Sequence, residues 1–147
     1  EPGRLIVGSA GLLVCSVIYL KRGTAKNFLI LDGAMNDFIR PCLYNAEHQL
    51  MCVKKPAGNA AGLLVDVVGP VCETGDTFSR SVAVPILGSG DLVAFSSAGA
   101  YGAVMSSEYN SRPLVPEVLV KGRDFTTIRT RPSVQELINR DLIPDWL

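Results

Sequence analysis

The stretch LIVGSAGLLVCSVIYL, Leu5–Leu20, decides the fold. Set between Arg4 and Lys21, it invites a membrane reading. A spanning helix needs about 20 consecutive apolar residues, and Gly8, Ser9, Gly11 and Ser16 interrupt this shorter run, so it reads as buried core. Its second half, LLVCSVIYL (Leu12–Leu20), has the length and β-branched content of one strand. Outward from it, similar short runs recur between Gly, Pro, Asn and Asp: NFLILD (Asn27–Asp32), HQLMCV (His48–Val53), GLLVDVVG (Gly62–Gly69), SVAVPIL (Ser81–Leu87) and DLVAFS (Asp91–Ser96). EVLV (Glu117–Val120) and DFTTIRT (Asp124–Thr130) follow, joined through Lys121-Gly122-Arg123 as a tight hairpin. This spacing predicts a mainly β chain, an antiparallel barrel or sandwich, rather than alternating β and α units.

Helix is sparse. Ser133-Val134-Gln135-Glu136 forms a capping box after Pro132, with Val134, Leu137 and Ile138 on one face, so a short helix should run to about Arg140. Arg4–Ala10 is expected to form a helical turn, and Asn36–Ala46 a turn or short helix broken at Pro41.

The 147 residues suffice for one domain with a core. Fourteen basic residues balance fourteen acidic ones, so no net field favours nucleic acid or an anionic membrane, and any charge recognition is local. Cys15, Cys42, Cys52 and Cys72 lack C-x-x-C spacing, which suits reduced thiols in a cytoplasmic protein better than disulfides or zinc. With His48 the single histidine, a Ser-His or Cys-His hydrolase is hard to assemble. The chain opens on EPGR, with neither an initiator Met nor a leader, and is expected to be cut from a longer protein.

Five segments are more polar and glycine-rich than strand connections require: EPGR (Glu1–Arg4), DGAMNDFIRPCLYNA (Asp32–Ala46), GPVCETGD (Gly69–Asp76), SAGAYG (Ser97–Gly102) and SSEYNSRP (Ser106–Pro113). Singly each is an ordinary turn. In this order and spacing, with EVLVKG following, they resemble the C-terminal part of the diaminopimelate decarboxylase family, pyridoxal-phosphate enzymes of fold type III. The resemblance covers nearly the whole chain. It implies that residues 1–147 are the Greek-key-like C-terminal β-domain of a two-domain enzyme whose N-terminal (β/α)8 barrel is absent from this chain.

The resemblance also implies roles. Pyridoxal phosphate accepts the electrons left on Cα when carbon dioxide departs. Glu1 would pair with the pyridine nitrogen and keep it protonated. Gly3 would offer open backbone to the cofactor phosphate, and Arg4 its charge. Arg4 and Arg40 would grip the distal carboxylate of meso-diaminopimelate, with Tyr44 a further contact. Glu73 would answer the remote ammonium, where relatives acting on ornithine or arginine carry Asp. Cys72 would protonate the reacting carbon from across the boundary of a homodimer. Tyr101 would touch both cofactor phosphate and substrate.

The bland alternatives are a solvated Glu1, a surface Arg40 with Tyr44 packed on it, and buried, inert Cys15, Cys42 and Cys52. Ser97 departs from the pattern, which more often has Asp before AGAYG, and Asn110 and Arg112 read as structural. No lysine among Lys21, Lys26, Lys54, Lys55 and Lys121 falls in a matching motif, so the cofactor-bonding lysine is expected in the barrel and the chain alone is expected to be inactive. A decarboxylase for ornithine, arginine or a carboxylated polyamine is the competing enzyme reading, and a non-catalytic regulatory homologue the competing binding reading. Retention of Cys72, Glu73, Arg4, Arg40 and Tyr101 weighs against the latter.

Overall fold

The computed structural model describes residues 1–54 and 62–147, which leaves Lys55 outside. Two compact units divide the chain, Glu1–Ser106 and Ser107–Leu147.

Among the described residues the first unit holds six strands: β1 (Leu13–Arg22), β2 (Asn27–Leu31), β3 (Leu50–Cys52), β4 (Leu63–Val68), β5 (Thr77–Val84) and β6 (Leu92–Phe95). They form one sheet in the order β3-β6-β1-β2-β4-β5. The expected mainly β architecture with a few short helices holds. Strand β1 is long enough to change neighbours: Leu13–Ser16 pair with β6, and from Val17 onward the strand pairs with β2 across a register shift between Val17 and Tyr19. Such a bulge bends a strand and increases its twist. One pairing departs from the antiparallel expectation, because β2 and β4 run parallel, Leu29 opposite Val67. The chain between them crosses over through a short helix and β3, so they enter the sheet in the same direction.

The inward face carries Cys15 and Val17 of β1, Leu29 and Leu31 of β2, Val65 and Val67 of β4, and Val93 and Phe95 of β6, all buried. Phe78 packs on Phe95 with ring centroids 4.7 Å apart, and Phe38 approaches the same ring at 6.4 Å. The expected strand Ser81–Leu87 is displaced: β5 begins at Thr77 and ends before Pro85, which has no N–H to give a ladder. Within β5, Ser81 takes φ 53°, and its N–H donates to Oδ1 of buried Asp66 at 2.8 Å. Lys26 Nζ donates to the other oxygen of Asp66 at 3.1 Å, and Arg80 stands 3.9 Å from it.

The second unit contains β7 (Glu117–Lys121) and β8 (Asp124–Arg129), an antiparallel hairpin closed by Gly122-Arg123 with Gly122 at φ 63°. Glycine takes that conformation without steric cost. An Arg129–Glu117 ion pair at 2.6 Å spans the open end of the hairpin. The capping box forms as expected. Ser133 N–H donates to Glu136 Oε2 at 2.6 Å, and Glu136 N–H donates to Ser133 Oγ at 3.2 Å. The helix it starts ends at Ile138, earlier than expected, in a turn through Arg140.

Candidate active site

The EPGR segment opens a helix, α1 (Pro2–Val7), with Pro2 in the first turn where its missing N–H costs nothing. A single tight turn, Gly8–Ala10, follows it. Arg4 lies 3.4 Å from the Glu1 carboxylate, and both side chains are more than half exposed, so the pair orients the two groups more than it stabilises the fold. A Cβ on Gly3 would meet nothing within 4 Å, so its backbone is open.

The loop bearing SAGAYG is locked to this turn by glycines. Ala98 N–H donates to the Gly11 carbonyl at 2.9 Å, and Gly99 N–H to that of Gly8 at 3.1 Å. A Cβ on Gly99 would lie 2.0 Å from the Val7 carbonyl oxygen, and one on Gly11 would lie 2.4 Å from Gly99 Cα. No other residue permits this approach. Ser97 and Tyr101, at the ends of the loop, take φ 58° and 57°. Aspartate also tolerates that conformation, so Ser97 changes the side chain without forcing a new backbone.

The second wall is α2 (Arg40–Tyr44). Pro41 does not break it, contrary to expectation: the proline occupies the first turn, and the helix ends at Asn45, φ 53°. The preceding DGAMNDF turn is set by buried Asp37, whose Oδ2 accepts the Ala34 N–H at 2.8 Å and whose Oδ1 accepts Asn36 Nδ2 at 3.0 Å. The turn aims α2 so that the Arg40 guanidinium carbon lies 5.7 Å from the Tyr44 ring centroid and 5.5 Å from that of Tyr101. Both rings are within cation–π range. Glu1, Arg4 and Arg40 share one cleft of about 960 Å³, whose wall also includes Leu5, His48 and Ser97.

The GPVCETGD loop, between β4 and β5, is organised by Asp76, which is 2% exposed. Its Oδ2 accepts the Val71 N–H at 2.8 Å, and its Oδ1 accepts the Met35 N–H of the DGAMNDF turn at 2.7 Å. Gly69 N–H donates to the Asp76 carbonyl at 3.1 Å, closing the loop. Cys72 is exposed. Neither Cys72 nor Glu73 lines the cleft that holds Arg4 and Arg40. The structure thus gathers Glu1, Arg4, Arg40, Tyr44 and Tyr101, and places Cys72 and Glu73 on a separate loop.

The other thiols correct one expectation. Cys15 is buried, but Cys42 and Cys52 are only half-buried. Burial, then the charges of Glu73 and Asp76, push the Cys42 thiol up, and burial with Asp91 does the same to Cys52. Neither is poised as a thiolate. His48 Nδ1 bonds the Ser96 carbonyl at 2.9 Å and the ring stands edge-on to Phe38 at 4.4 Å, while its buried Nε2 has no hydrogen-bond partner among the described residues.

Sequence reasoning missed Asp37 and Asp76. Both close motifs that were noticed, but Asp at a turn is so common that burial, the deciding property, has no local signature.

The site's chemistry suits an anionic ligand: two arginines able to take phosphate or carboxylate, a carboxylate able to take an N–H, and the Tyr101 ring beside Arg40. Residues 5–99 match the family described as pyridoxal-dependent decarboxylase, C-terminal sheet domain, and the chain belongs to that family. It is 47% identical over 147 residues to the diaminopimelate decarboxylase of Zymomonas mobilis, covering 100% of this chain and 34% of the relative. It is 50% identical over 137 residues to that of Pseudomonas aeruginosa, covering 93% and 32%. The crystal structure of diaminopimelate decarboxylase from M. jannaschii in co-complex with L-lysine superposes with a TM-score of 0.91 at 32% identity, over 98% of this chain and 32% of that one. The chain spans about a third of the length of the curated relatives it matches.

Proposed function

We propose that residues 1–147 are the C-terminal β-domain, a Greek-key-like barrel, of a cytoplasmic, homodimeric diaminopimelate decarboxylase that converts meso-diaminopimelate to L-lysine and carbon dioxide. The observation that carries this reading is the Arg40 guanidinium held between Tyr44 and Tyr101 over a cleft shared with Arg4 and Glu1. A substrate with an amino-acid group at each end needs its far carboxylate fixed while the near one leaves. Arg40, its planar fork pre-oriented by two rings, suits that task, and Arg4 adds a second cation.

Pyridoxal phosphate, when bound, supplies the electron sink for the bond that breaks. Gly3, Arg4 and Tyr101 would hold its phosphate, and Glu1 its ring nitrogen. Glu73 pairs with the far ammonium of the substrate. The Cys72 Sγ–H gives its proton to the Cα from which carbon dioxide has left, so a C–H bond replaces the C–C bond. Its position on an exposed loop, away from the arginine cleft, supports service in the neighbouring subunit's site. The N-terminal barrel would provide the cofactor-bonding lysine, so the 147-residue chain is inactive by itself.

The test is carbon dioxide release by the full-length protein with pyridoxal phosphate, offered meso-diaminopimelate, ornithine and arginine in turn. Diaminopimelate should be strongly preferred, and Cys72→Ala should lower kcat by about 10²–10⁴-fold while sparing cofactor binding. Preference for ornithine or arginine would sink the substrate assignment, and an unimpaired Cys72→Ala enzyme the role of the thiol.

A further inference from the structure

Asp76 is an acidic side chain buried to 2% exposure in a loop whose Pro70, Cys72, Glu73 and Thr74 are exposed, and the reaction outlined above has no use for its charge. Its two oxygens accept backbone N–H groups from two different segments, Val71 of its own loop at 2.8 Å and Met35 of the turn before α2 at 2.7 Å. Hydrogen bonds to an ionised acceptor are short and strong, and a bridge of two fixes distance and direction together. Its backbone closes the same loop, taking the Gly69 N–H at 3.1 Å and giving its own N–H to the Glu73 carbonyl at 3.1 Å. A Cβ on Gly69 would fall 2.3 Å from Asp76 Oδ2, so any larger residue there must push the carboxylate aside.

We propose that Asp76 is a positioning residue: its carboxylate clamps the loop bearing Cys72 and Glu73 to the turn that aims Arg40, so the proton donor and the remote-carboxylate grip are placed by one bridge. This inference rests on the decarboxylase reading. Its chemical content is a demand for two acceptors. Aspartate meets it, whereas asparagine keeps one acceptor oxygen and turns an NH2 toward a backbone N–H, leaving two donors face to face. The loop must then move at the Val71 or the Met35 end.

The experiment uses the full-length, cofactor-loaded decarboxylase in a cycle with Cys72. Asp76→Asn should lower kcat for diaminopimelate at least about tenfold, as loss of a charge-assisted hydrogen bond would. On a Cys72→Ala background the same change should lower kcat less than about twofold, because the donor it positions is already gone, whereas any rise in KM through Arg40 should be the same on both backgrounds. A residue that merely stabilises the fold would give equal losses on both backgrounds. Independently of activity, peptides containing Met35 and Val71 should exchange amide hydrogen at least about tenfold faster in Asp76→Asn. If Asp76→Asn fails to fold, Gly69→Ala tests the same bridge, since its Cβ must displace the carboxylate, and it should show the same dependence on Cys72. An Asp76→Asn enzyme within twofold of the parent, equal losses on both backgrounds, or unchanged exchange would overturn the clamp alone. A parent enzyme that releases no carbon dioxide from diaminopimelate, or that is indifferent to Cys72→Ala, overturns the decarboxylase reading and this inference with it.

Discussion

Substituting Gly99 by alanine should separate the two segments that form the upper wall of the cleft. The added Cβ would sit 2.0 Å from the Val7 carbonyl oxygen and 2.8 Å from Gly11 N. Comfortable contacts begin near 3.5 Å, so the loop must retreat from the α1 turn by roughly 1.5 Å. Neither the Ala98 N–H bond to Gly11 O at 2.9 Å nor the Gly99 N–H bond to Gly8 O at 3.1 Å survives that movement. Each contributes about 1 kcal/mol, and overpacking against backbone adds about 1–3 kcal/mol. Alanine's stiffer unfolded chain offsets about 0.4–1 kcal/mol of this. The net loss is about 2–4.6 kcal/mol, which at about 2 kcal/mol per molar lowers the urea midpoint by roughly 1–2.3 M. The assay is urea denaturation followed by far-ultraviolet circular dichroism, with Gly3→Ala as control. At Gly3 a Cβ meets nothing within 4 Å, so the control should not fall below the parent. Equal midpoints for the two variants would refute the argument that close backbone approach fixes this glycine.

The remaining predictions concern charge. Asp66 is held below the ordinary carboxylate value, chiefly by the Ser81 N–H and further by Lys26 and Arg80, against the opposing effect of its burial. A depressed folded value means stability that is complete above the unfolded value and lost as pH falls through the folded one. The parent's urea midpoint should therefore drop as the pH falls below about 4, and Asp66→Asn should be less stable at pH 7 with a shallower acid slope. Parallel acid slopes for the two proteins would exclude Asp66 as a source. Arg40→Lys keeps the charge but loses the planar group lying against Tyr44 and Tyr101. In the full-length enzyme the KM for diaminopimelate should rise by about tenfold or more, with kcat changed much less, and an unchanged KM would remove Arg40 from substrate binding.

Much of this architecture was legible as a sequence. The apolar runs around β1, β2, β4 and β6 each declared a strand within a residue or two, because both flanking turns and inward residues agree there. The capping box at Ser133 and Glu136 was equally plain, since its signal lies within four residues. β5 was misplaced because, among the described residues, it pairs on one side only, so Ser79 and Arg80 interrupt the apolar pattern at no cost. The parallel β2–β4 pairing could not be read at all, because alternation identifies strands and not their neighbours. Motif order drew attention to Arg40, Tyr44 and Tyr101, yet their convergence on one cation depends on a helix and a loop far apart in the chain. Asp76 was invisible for a related reason, since half of its role is the Met35 N–H.

The change of partner along β1 also sets an order of events during synthesis. β2 lies just behind β1, so that hairpin can form as soon as residue 31 is free, whereas Leu13 must wait for Phe95. The turn after α1 waits for Gly99 as well, so the first wall of the cleft is among the last parts completed. Pairings of such long sequence separation are slow, and until they close, the edge of β1 at Leu13–Ser16 is available to other chains. A stalled or truncated nascent chain that ends before Leu92 should therefore be held by chaperones, and release should coincide with the arrival of β6.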